Sequence, residues 1–220
     1  MLPERATTPS MINFEAIIGR FGEQAVQGVK RDFVDHDREA LDALDKKDAP
    51  SRRDTIRGWL QAYQVFRVRG IAAQKDKIAD AVLRWADERD HERKLESPSE
   101  LFAAHRELME RICKAYLCNS QNQPREFTSL TSKALWLCYP KRVPMFDSYA
   151  QRALWVMAKL EFGIAAPPSG PDYFQFVSVW KQLYEKYLPT VSDLNAKDYP
   201  YPVRVFDRIL WLIGKNQYTV

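Results

Sequence analysis

The sequence has few features of a secreted, membrane-bound or metal-stabilised protein. Only three cysteines occur in 220 residues, Cys113, Cys118 and Cys138, and they follow no paired spacing, which is typical of a reducing compartment. No apolar run approaches the roughly 18 residues that a membrane helix needs, and residues 1–11 lack the apolar segment of a secretory signal. We therefore expect a cytoplasmic protein with no membrane segment.

Strand signals are also missing. Alternation of apolar and polar residues, the pattern of a half-buried strand, does not persist between turn signals, and there is no internal repeat or low-complexity tract. Apolar residues instead recur at helical spacing, and six Trp, ten Tyr and eleven Phe are available to fill one continuous core. The sequence predicts an all-α protein of about eight or nine helices, with residues 1–11 disordered and residues 12–220 forming one helical unit.

Two helix boundaries are marked by particular residues. Gly19 or Gly22 is predicted to end a short first helix, and a second helix is predicted from Glu23 to Lys47. Ser97, with Glu100 three residues later, has the pattern of a capping box, in which each side chain accepts a hydrogen bond from the other residue's backbone N–H. A helix is therefore predicted to begin there.

The net charge of +4 is unevenly distributed along the chain. The segment from Arg111 to Arg142 contains six basic residues and one acidic residue, so it holds +5 while the remainder is close to neutral. A basic patch of this kind favours an anionic ligand such as a nucleic-acid backbone. Chance clustering on a solvated surface is the alternative.

One lysine and one carboxylate stand out in the stretch from Phe127 to Leu154. Lys133 is predicted in the first turn of a compact apolar helix, and Asp147 opens the next helix after a loop bounded by prolines. The two side chains would meet if the helices pack side by side, and no other constellation in the sequence suggests chemistry. A solvated lysine and an ordinary N-cap aspartate are the alternative, because both residue types are common near helix ends.

This stretch resembles the helix-hairpin-helix DNA glycosylase superfamily, and within it the 8-oxoguanine DNA glycosylase branch. Residues 127–133 (FTSLTSK) keep the apolar positions and the lysine of the family's hairpin, and residues 143–147 (VPMFD) supply its aspartate. The resemblance implies Lys133 as the nucleophile and Asp147 as the catalytic carboxylate of a DNA repair enzyme. That enzyme would be a bifunctional DNA glycosylase with β-lyase activity, acting on an oxidised or modified purine.

The implied chemistry requires these two residue types. Attack on the sugar C1′ needs a neutral amine, whereas a free lysine titrates near 10.4, so burial would have to lower the pKa of Lys133 by about two to three. A carboxylate at a helix N-terminus, such as Asp147, would stabilise the oxocarbenium-like sugar cation and help the lysine lose its proton. The target base would have to leave the helical stack to reach them.

The residues expected to contact DNA lie in this motif and around it. Ser129 and Thr131 replace the two hairpin glycines of the family, and their hydroxyls could contact a phosphate. The predicted nucleic-acid-binding residues are Ser129, Thr131, Ser132, Arg125, Lys141, Arg142 and Arg152. Base selection is expected from the last helix, at Phe206, Asp207 and Trp211. We expect no metal and no cofactor, since three cysteines cannot hold the four-cysteine iron–sulfur cluster of some relatives.

A second function is compatible with the same pattern. The chain also looks like small bacterial proteins with an 8-oxoguanine glycosylase fold, some of which belong to antiphage defence operons. It could therefore be a catalytically inactive member that binds nucleic acid or a modified nucleotide alongside defence proteins from the same operon. A plain helical interaction protein is the third alternative, and it leaves the basic segment unexplained.

Overall fold

The computed structural model describes residues 13–46, 50–63, 74–89, 94–117, 128–167, 172–194 and 199–216. These residues form α-helices and short connections, with no strand among them, which confirms the predicted all-α class. Nine α-helices occur in these ranges: α1 (Phe14–Asp32), α2 (Arg38–Asp45), α3 (Arg52–Ala62), α4 (Lys75–Glu88), α5 (Pro98–Leu117), α6 (Thr128–Cys138), α7 (Ser148–Phe162), α8 (Tyr173–Leu194) and α9 (Pro202–Lys215). The predicted disorder of residues 1–11 lies outside the described residues.

The first helix does not end at either glycine. It begins after Asn13, whose side-chain oxygen accepts a hydrogen bond from the backbone N–H of Ala16 at 3.1 Å, and it continues past Gly19 and Gly22 to Asp32. A Cβ atom at Gly22 would lie 2.2 Å from the side chain of Leu194. Gly22 therefore permits close packing of α1 against α8, which is a tertiary role and not a helix stop.

A π-helical turn, Phe33–Asp37, joins α1 to α2. The wider turn directs Asp37 into the core, where its Oδ1 accepts hydrogen bonds from Trp59 Nε1 at 2.8 Å and from the Tyr63 hydroxyl at 2.7 Å. Burial raises the pKa of Asp37, although nearby Arg204 opposes the shift. Such turns inside helices are frequently found at functional sites.

Two further helix ends are fixed by side chains. Arg52, at the start of α3, donates to the carbonyl oxygens of Ala43 and Leu44 at the end of α2 and to Asp87 of α4. The capping box predicted at Ser97 is confirmed: Glu100 accepts from the Ser97 backbone N–H at 2.8 Å, and the Glu100 N–H donates to Ser97 Oγ at 3.2 Å.

Helix α6 lies at the centre of the molecule. Every residue from Leu130 to Cys138 is buried, and the buried apolar side chains of all the helices form one cluster around it. Helix α9 packs against α1 and α7, and Gly214 of α9 approaches the backbone of Tyr149 in α7 so closely that a Cβ would lie 1.9 Å from its carbonyl oxygen. Residues of α1, α6, α7 and α9, together with Ala62 and Tyr63 at the end of α3, line one cavity.

None of the described helices is long and apolar enough to span a lipid bilayer. The longest of them, α8, spreads its buried aromatic side chains over one face and exposes charged residues on the other. Of the cysteines, Cys138 is buried and Cys113 is half-buried, while the side chain of Cys118 lies outside the described part of the chain.

Candidate active site

The residues expected to form a hairpin turn are helical instead. Thr128 begins α6, so Ser129 and Thr131 belong to its first turn and Lys133 lies in the second turn, one turn later than predicted. Serine and threonine adopt helical dihedral angles without strain, whereas a hairpin of the family type needs glycine with positive φ. Among the described residues, the glycine with positive φ is Gly163, at the end of α7.

Lys133 points into the protein, and only 7% of the residue is exposed. Its Nζ donates to Ser129 Oγ at 2.6 Å and to the backbone carbonyl of Phe146 at 3.2 Å. Burial lowers the pKa of Lys133 to about 8, the negative charges of Asp147 and Asp207 oppose the shift, and Arg204 adds to it. About half of this amine is therefore uncharged at pH 8, and about a tenth at pH 7.

The two acceptors around Nζ suit a neutral amine. An uncharged –NH₂ group has two N–H bonds, which match Ser129 Oγ and the Phe146 carbonyl, and it keeps one lone pair that neither acceptor uses. A protonated amine has a third N–H, for which the described residues supply no further hydrogen bond. When the amine is neutral, these two hydrogen bonds therefore hold the nitrogen in place and leave its electron pair unused.

Asp147 lies at the N-terminus of α7 as its cap. Its backbone is extended, and its Oδ1 accepts a hydrogen bond from the Tyr149 backbone N–H at 2.9 Å. The Phe146 carbonyl that holds Lys133 belongs to the preceding residue, so the amine and the carboxylate are held by adjacent parts of one loop. Lys133 and Asp147 both line the central cavity, which is the meeting that the sequence spacing predicted.

Side chains of α6 and α9 hold the backbone N–H groups of Phe146 and Met145 in the loop between α6 and α7. Ser132 Oγ accepts from the Phe146 N–H at 2.9 Å and donates to the Ser129 carbonyl at 3.1 Å. Asp207 Oδ2 accepts from the Met145 N–H at 2.7 Å. Two side chains on different helices therefore determine where the Phe146 carbonyl and Asp147 lie.

Asp207 is a buried carboxyl group that also lines the cavity. Its second oxygen, Oδ1, accepts from Trp180 Nε1 at 2.8 Å. Burial raises the pKa of Asp207 to about 7, and the hydrogen bond from Met145 and the charge of Arg204 limit the shift. This carboxyl is thus partly protonated near neutral pH, next to an amine that is partly deprotonated.

The other two residues proposed for base selection are placed differently from each other. Trp211 lines the cavity, but Arg208 and Lys215 each lie 4.6 Å from the centre of its ring. Phe206 is completely buried, where it packs edge-on against Trp180, and it does not line the cavity. Successive residues of a helix point about 100° apart, so Phe206 and Asp207 face different surroundings although they are neighbours in α9.

The cavity has a volume of about 250 Å³. Its residues include four that sequence reasoning missed, contributed by α1, α3 and α9: Asp32, Tyr63, Arg204 and Arg208. Arg204 and Arg208 are one turn apart within the apolar sequence of α9, and Arg204 stands between Val203 and Val205. A charged residue inside such a run is the signal that could have identified them, because a buried arginine needs partners.

No family model, curated protein or solved structure matches this chain. Its function is therefore inferred from the side chains of the cavity. Among the described residues, no three His, Cys, Asp or Glu side chains come close enough together to hold a metal ion.

The residues predicted to bind nucleic acid are scattered. Thr131 and Ser132 are completely buried, so neither hydroxyl is presented to a phosphate, and the Ser129 hydroxyl is engaged by Lys133. Arg125 lies outside the described residues. Three are exposed on surfaces that do not line the cavity: Lys141 and Arg142 in the turn after α6, and Arg152 on α7, whose guanidinium lies 5.6 Å from the Tyr149 ring centre.

Proposed function

We propose that this protein is a DNA glycosylase with lyase activity that removes an oxidised or modified purine, with Lys133 as the nucleophile and Asp147 as the catalytic carboxylate. The observation that supports the proposal is the state of the Lys133 amine. It is buried, its pKa is lowered to about 8, and its two hydrogen bonds leave a lone pair free beside a cavity that Asp147 also lines. A lysine amine whose pKa is lowered by burial and which faces a cavity is the arrangement expected of a lysine nucleophile.

In the proposed reaction, the lone pair of Lys133 forms a bond to C1′ of the target nucleotide. The bond between C1′ and the base breaks, and the base leaves with the electron pair and takes up a proton. The carboxylate of Asp147 stabilises the positive charge that develops on the sugar. Oδ1 of Asp147 is engaged by Tyr149 N–H, and Oδ2 has no hydrogen bond among the described residues, so Oδ2 can take this part.

The lyase step follows from the same covalent bond. The C1′–O4′ bond opens, O4′ takes a proton, and Lys133 and C1′ share an imine. Loss of a proton from C2′ then breaks the C3′–O3′ bond and releases the 3′ strand with its phosphate. Water finally hydrolyses the imine and restores the amine of Lys133.

Borohydride trapping tests the proposal, because hydride reduces the imine to a stable secondary amine. The protein is incubated with oligonucleotides that contain 8-oxoguanine or an abasic site, and the adduct is measured on a denaturing gel. We expect an adduct with the wild-type protein and with Lys159→Gln, an exposed lysine on α7, and none with Lys133→Gln. The rate of trapping should rise with pH and level off above about pH 8, following the pKa of Lys133.

Absence of an adduct from the wild-type protein on every substrate would overturn the assignment. In that case, retention of DNA or of a modified nucleotide with strong salt dependence would support the second function, a catalytically inactive glycosylase-like protein in bacterial antiphage defence. An adduct that persists in Lys133→Gln would show that another amine is responsible.

A further inference from the structure

Two arginines of α9 and one aspartate of α1 form a charged group in the cavity, which we call the Arg–Asp–Arg group (Asp32, Arg204 and Arg208). Asp32 is the last residue of α1, directly before the π-helical turn. Its Oδ2 lies 3.5 Å from Nη2 of Arg204 and 3.6 Å from Nη1 of Arg208. The carboxylate thus stands between two guanidinium groups, and all three residues line the cavity.

The two guanidinium groups have far more donors than acceptors. Arg204 is only 6% exposed, yet the hydrogen bond that it makes within the described residues is a long one, 3.4 Å to the Tyr63 hydroxyl. Arg208 has no hydrogen bond there besides its ion pair, and the Nε atoms of both arginines are buried without a partner. Since each guanidinium has five N–H donors and buried donors are normally satisfied, we expect a ligand to supply acceptors.

Aromatic rings hold the arginines in position. The guanidinium of Arg208 lies 4.6 Å from the centre of the Trp211 ring, and that of Arg204 lies 5.4 Å from the centre of Tyr63. Gly28 of α1 leaves the space for Arg208, because a Cβ there would come within 3.1 Å of its Nε. These two rings thus orient the guanidinium groups of Arg204 and Arg208.

The charge around the cavity argues against a phosphate as the ligand. Arg204 and Arg208 face the carboxylates of Asp32 and Asp147. The cavity also contains Lys133 and Asp207, each ionised only in part near neutral pH, so its charges are close to balance. A charge-balanced cavity offers no net attraction to a dianion, while it suits an uncharged ligand with several hydrogen-bonding groups. The ligand must place an acceptor against each arginine and an N–H against the aspartate between them.

We propose that the Arg–Asp–Arg group binds the edge of a planar heterocycle that presents carbonyl, N–H and carbonyl groups in that order. This inference rests on the proposed function in so far as that function brings a base into the cavity. Two kinds of nucleobase have such an edge: thymine and uracil, through O4, N3–H and O2, and a purine oxidised at C8, through O6, N7–H and O8. Guanine does not, because its N7 is an acceptor and would face the carboxylate of Asp32.

Binding of free nucleosides tests the inference without any bond being broken. Affinities for thymidine, 8-oxo-2′-deoxyguanosine, 2′-deoxyguanosine and 2′-deoxycytidine are measured by calorimetry with the wild-type protein. We expect at least one of the first two to bind about 10- to 100-fold more tightly than the last two, the discrimination typical of a paired base edge. Binding of thymidine alone identifies a pyrimidine site and binding of 8-oxo-2′-deoxyguanosine alone an oxidised-purine site, and either supports the Arg–Asp–Arg group.

Two variants link the selectivity to these residues. Asp32→Asn replaces the central acceptor by an amide that also donates, so it should weaken the preferred nucleoside about 10-fold and reduce its advantage over 2′-deoxyguanosine. Arg208→Lys keeps the charge but loses the planar fork, and it should also weaken the preferred nucleoside about 10-fold. Arg106→Lys, an exposed arginine of α5, is the matched control and should bind as the wild type does.

Equal affinity for all four nucleosides, or an unchanged preference in a folded Asp32→Asn protein, would overturn the inference. Melting temperatures establish that each variant is folded. The result is separable from the proposed function: selective binding without a borohydride adduct would overturn the glycosylase assignment alone. An adduct without selectivity among the nucleosides would overturn only the inference that the Arg–Asp–Arg group binds a base edge.

Discussion

The amine of Lys133 donates a hydrogen bond to the hydroxyl of Ser129, one turn earlier in α6, across 2.6 Å. Ser129 occupies a position at which the glycosylase resemblance leads one to expect a hairpin glycine. Serine lacks the conformational freedom that glycine would give such a turn, and its side chain reaches the amine. In this chain, therefore, the residue that departs from the hairpin pattern is one of the two groups that fix the nitrogen of Lys133.

Replacement of Ser129 by alanine should slow trapping without abolishing it. The amine keeps the Phe146 carbonyl as a partner but loses its shorter hydrogen bond, which contributes about 1 kcal/mol, or roughly fivefold in rate if the nitrogen must be held in place. Single-turnover borohydride trapping measures the effect. Ser178→Ala is the control, because Ser178 of α8 is half-buried and its hydroxyl donates to the Phe174 carbonyl in its own helix. A wild-type rate in Ser129→Ala would mean that this hydrogen bond does not orient the nucleophile.

Burial of Lys133 should make the protein less stable at neutral pH than it would be with an apolar residue there. The pKa of Lys133 is about 8 in the folded protein, whereas an exposed lysine titrates near 10.4. The unfolded chain therefore binds more protons between those two values, so stability rises with pH across this window and is reduced below it. We expect Lys133→Met to raise the free energy of unfolding by about 1 to 3 kcal/mol at pH 7.

Urea unfolding of Lys133→Met and the wild type at pH 7 and pH 10 measures this difference. The gain in stability should shrink towards pH 10, because the wild-type amine is neutral in the folded state there. Lys159→Met, on the exposed face of α7, should show neither the gain nor its pH dependence. A Lys133→Met protein that is less stable than the wild type at pH 7 would contradict the expected cost of burying the protonated amine.

The fold class could be predicted from the sequence because local patterns determine it. Helical periodicity and the Ser97 capping box depend on residues a few positions apart, and both predictions are confirmed. The prediction that Gly19 or Gly22 ends the first helix is wrong, because the tight contact of Gly22 with Leu194 is a tertiary effect. A local sequence pattern cannot predict this contact, because Leu194 lies more than 170 residues from Gly22 in the chain.

The candidate site, too, could be predicted only in part from the sequence. Lys133 and Asp147 are only 14 residues apart and lie on consecutive helices, so their spacing could predict that they line one cavity. Asp32 and Arg204 belong to the first and last helices, and their contact depends on how α1 packs against α9. No periodicity or motif encodes that packing. The two arginines within the apolar sequence of α9 are the local sign of it.

Replacement of Asp207 by asparagine should disturb the loop that holds Lys133. The carboxylate accepts from Met145 N–H and from Trp180 Nε1, one donor at each oxygen. An asparagine has a single acceptor oxygen, so its NH₂ must face one of these two donors. We expect a loss of about 1 to 3 kcal/mol in the free energy of unfolding and slower trapping, because the Met145 backbone adjoins the Phe146 carbonyl that binds the amine.

The pH dependence of Asp207→Asn provides a second measurement. Burial raises the pKa of Asp207 to about 7, above the value near 3.9 of an exposed aspartate. The folded protein therefore binds more protons than the unfolded chain between these values, and this group makes stability fall as pH rises from about 4 to 7. The asparagine variant should lack that fall, and Asp193→Asn, on the exposed side of α8, should retain it. Identical pH profiles of stability for Asp207→Asn and the wild type would show that the pKa of the Asp207 carboxyl is not raised in the folded protein.

Contact between α7 and α9 should tolerate no side chain at Gly214. A Cβ at this position would lie 1.9 Å from the carbonyl oxygen of Tyr149 and 2.6 Å from its carbonyl carbon, both backbone atoms that cannot rotate away. The two helices would have to separate, so we expect Gly214→Ala to lower the free energy of unfolding by about 1 to 3 kcal/mol and to move Asp147, two residues before Tyr149, relative to Lys133.

Gly19→Ala in α1, where a Cβ meets nothing within 4 Å, should instead stabilise the protein by about 0.5 to 1 kcal/mol through helix propensity. Chemical denaturation and trapping of both variants would decide the matter, since a Gly214→Ala protein as stable and as reactive as Gly19→Ala is incompatible with the close approach of α7 and α9.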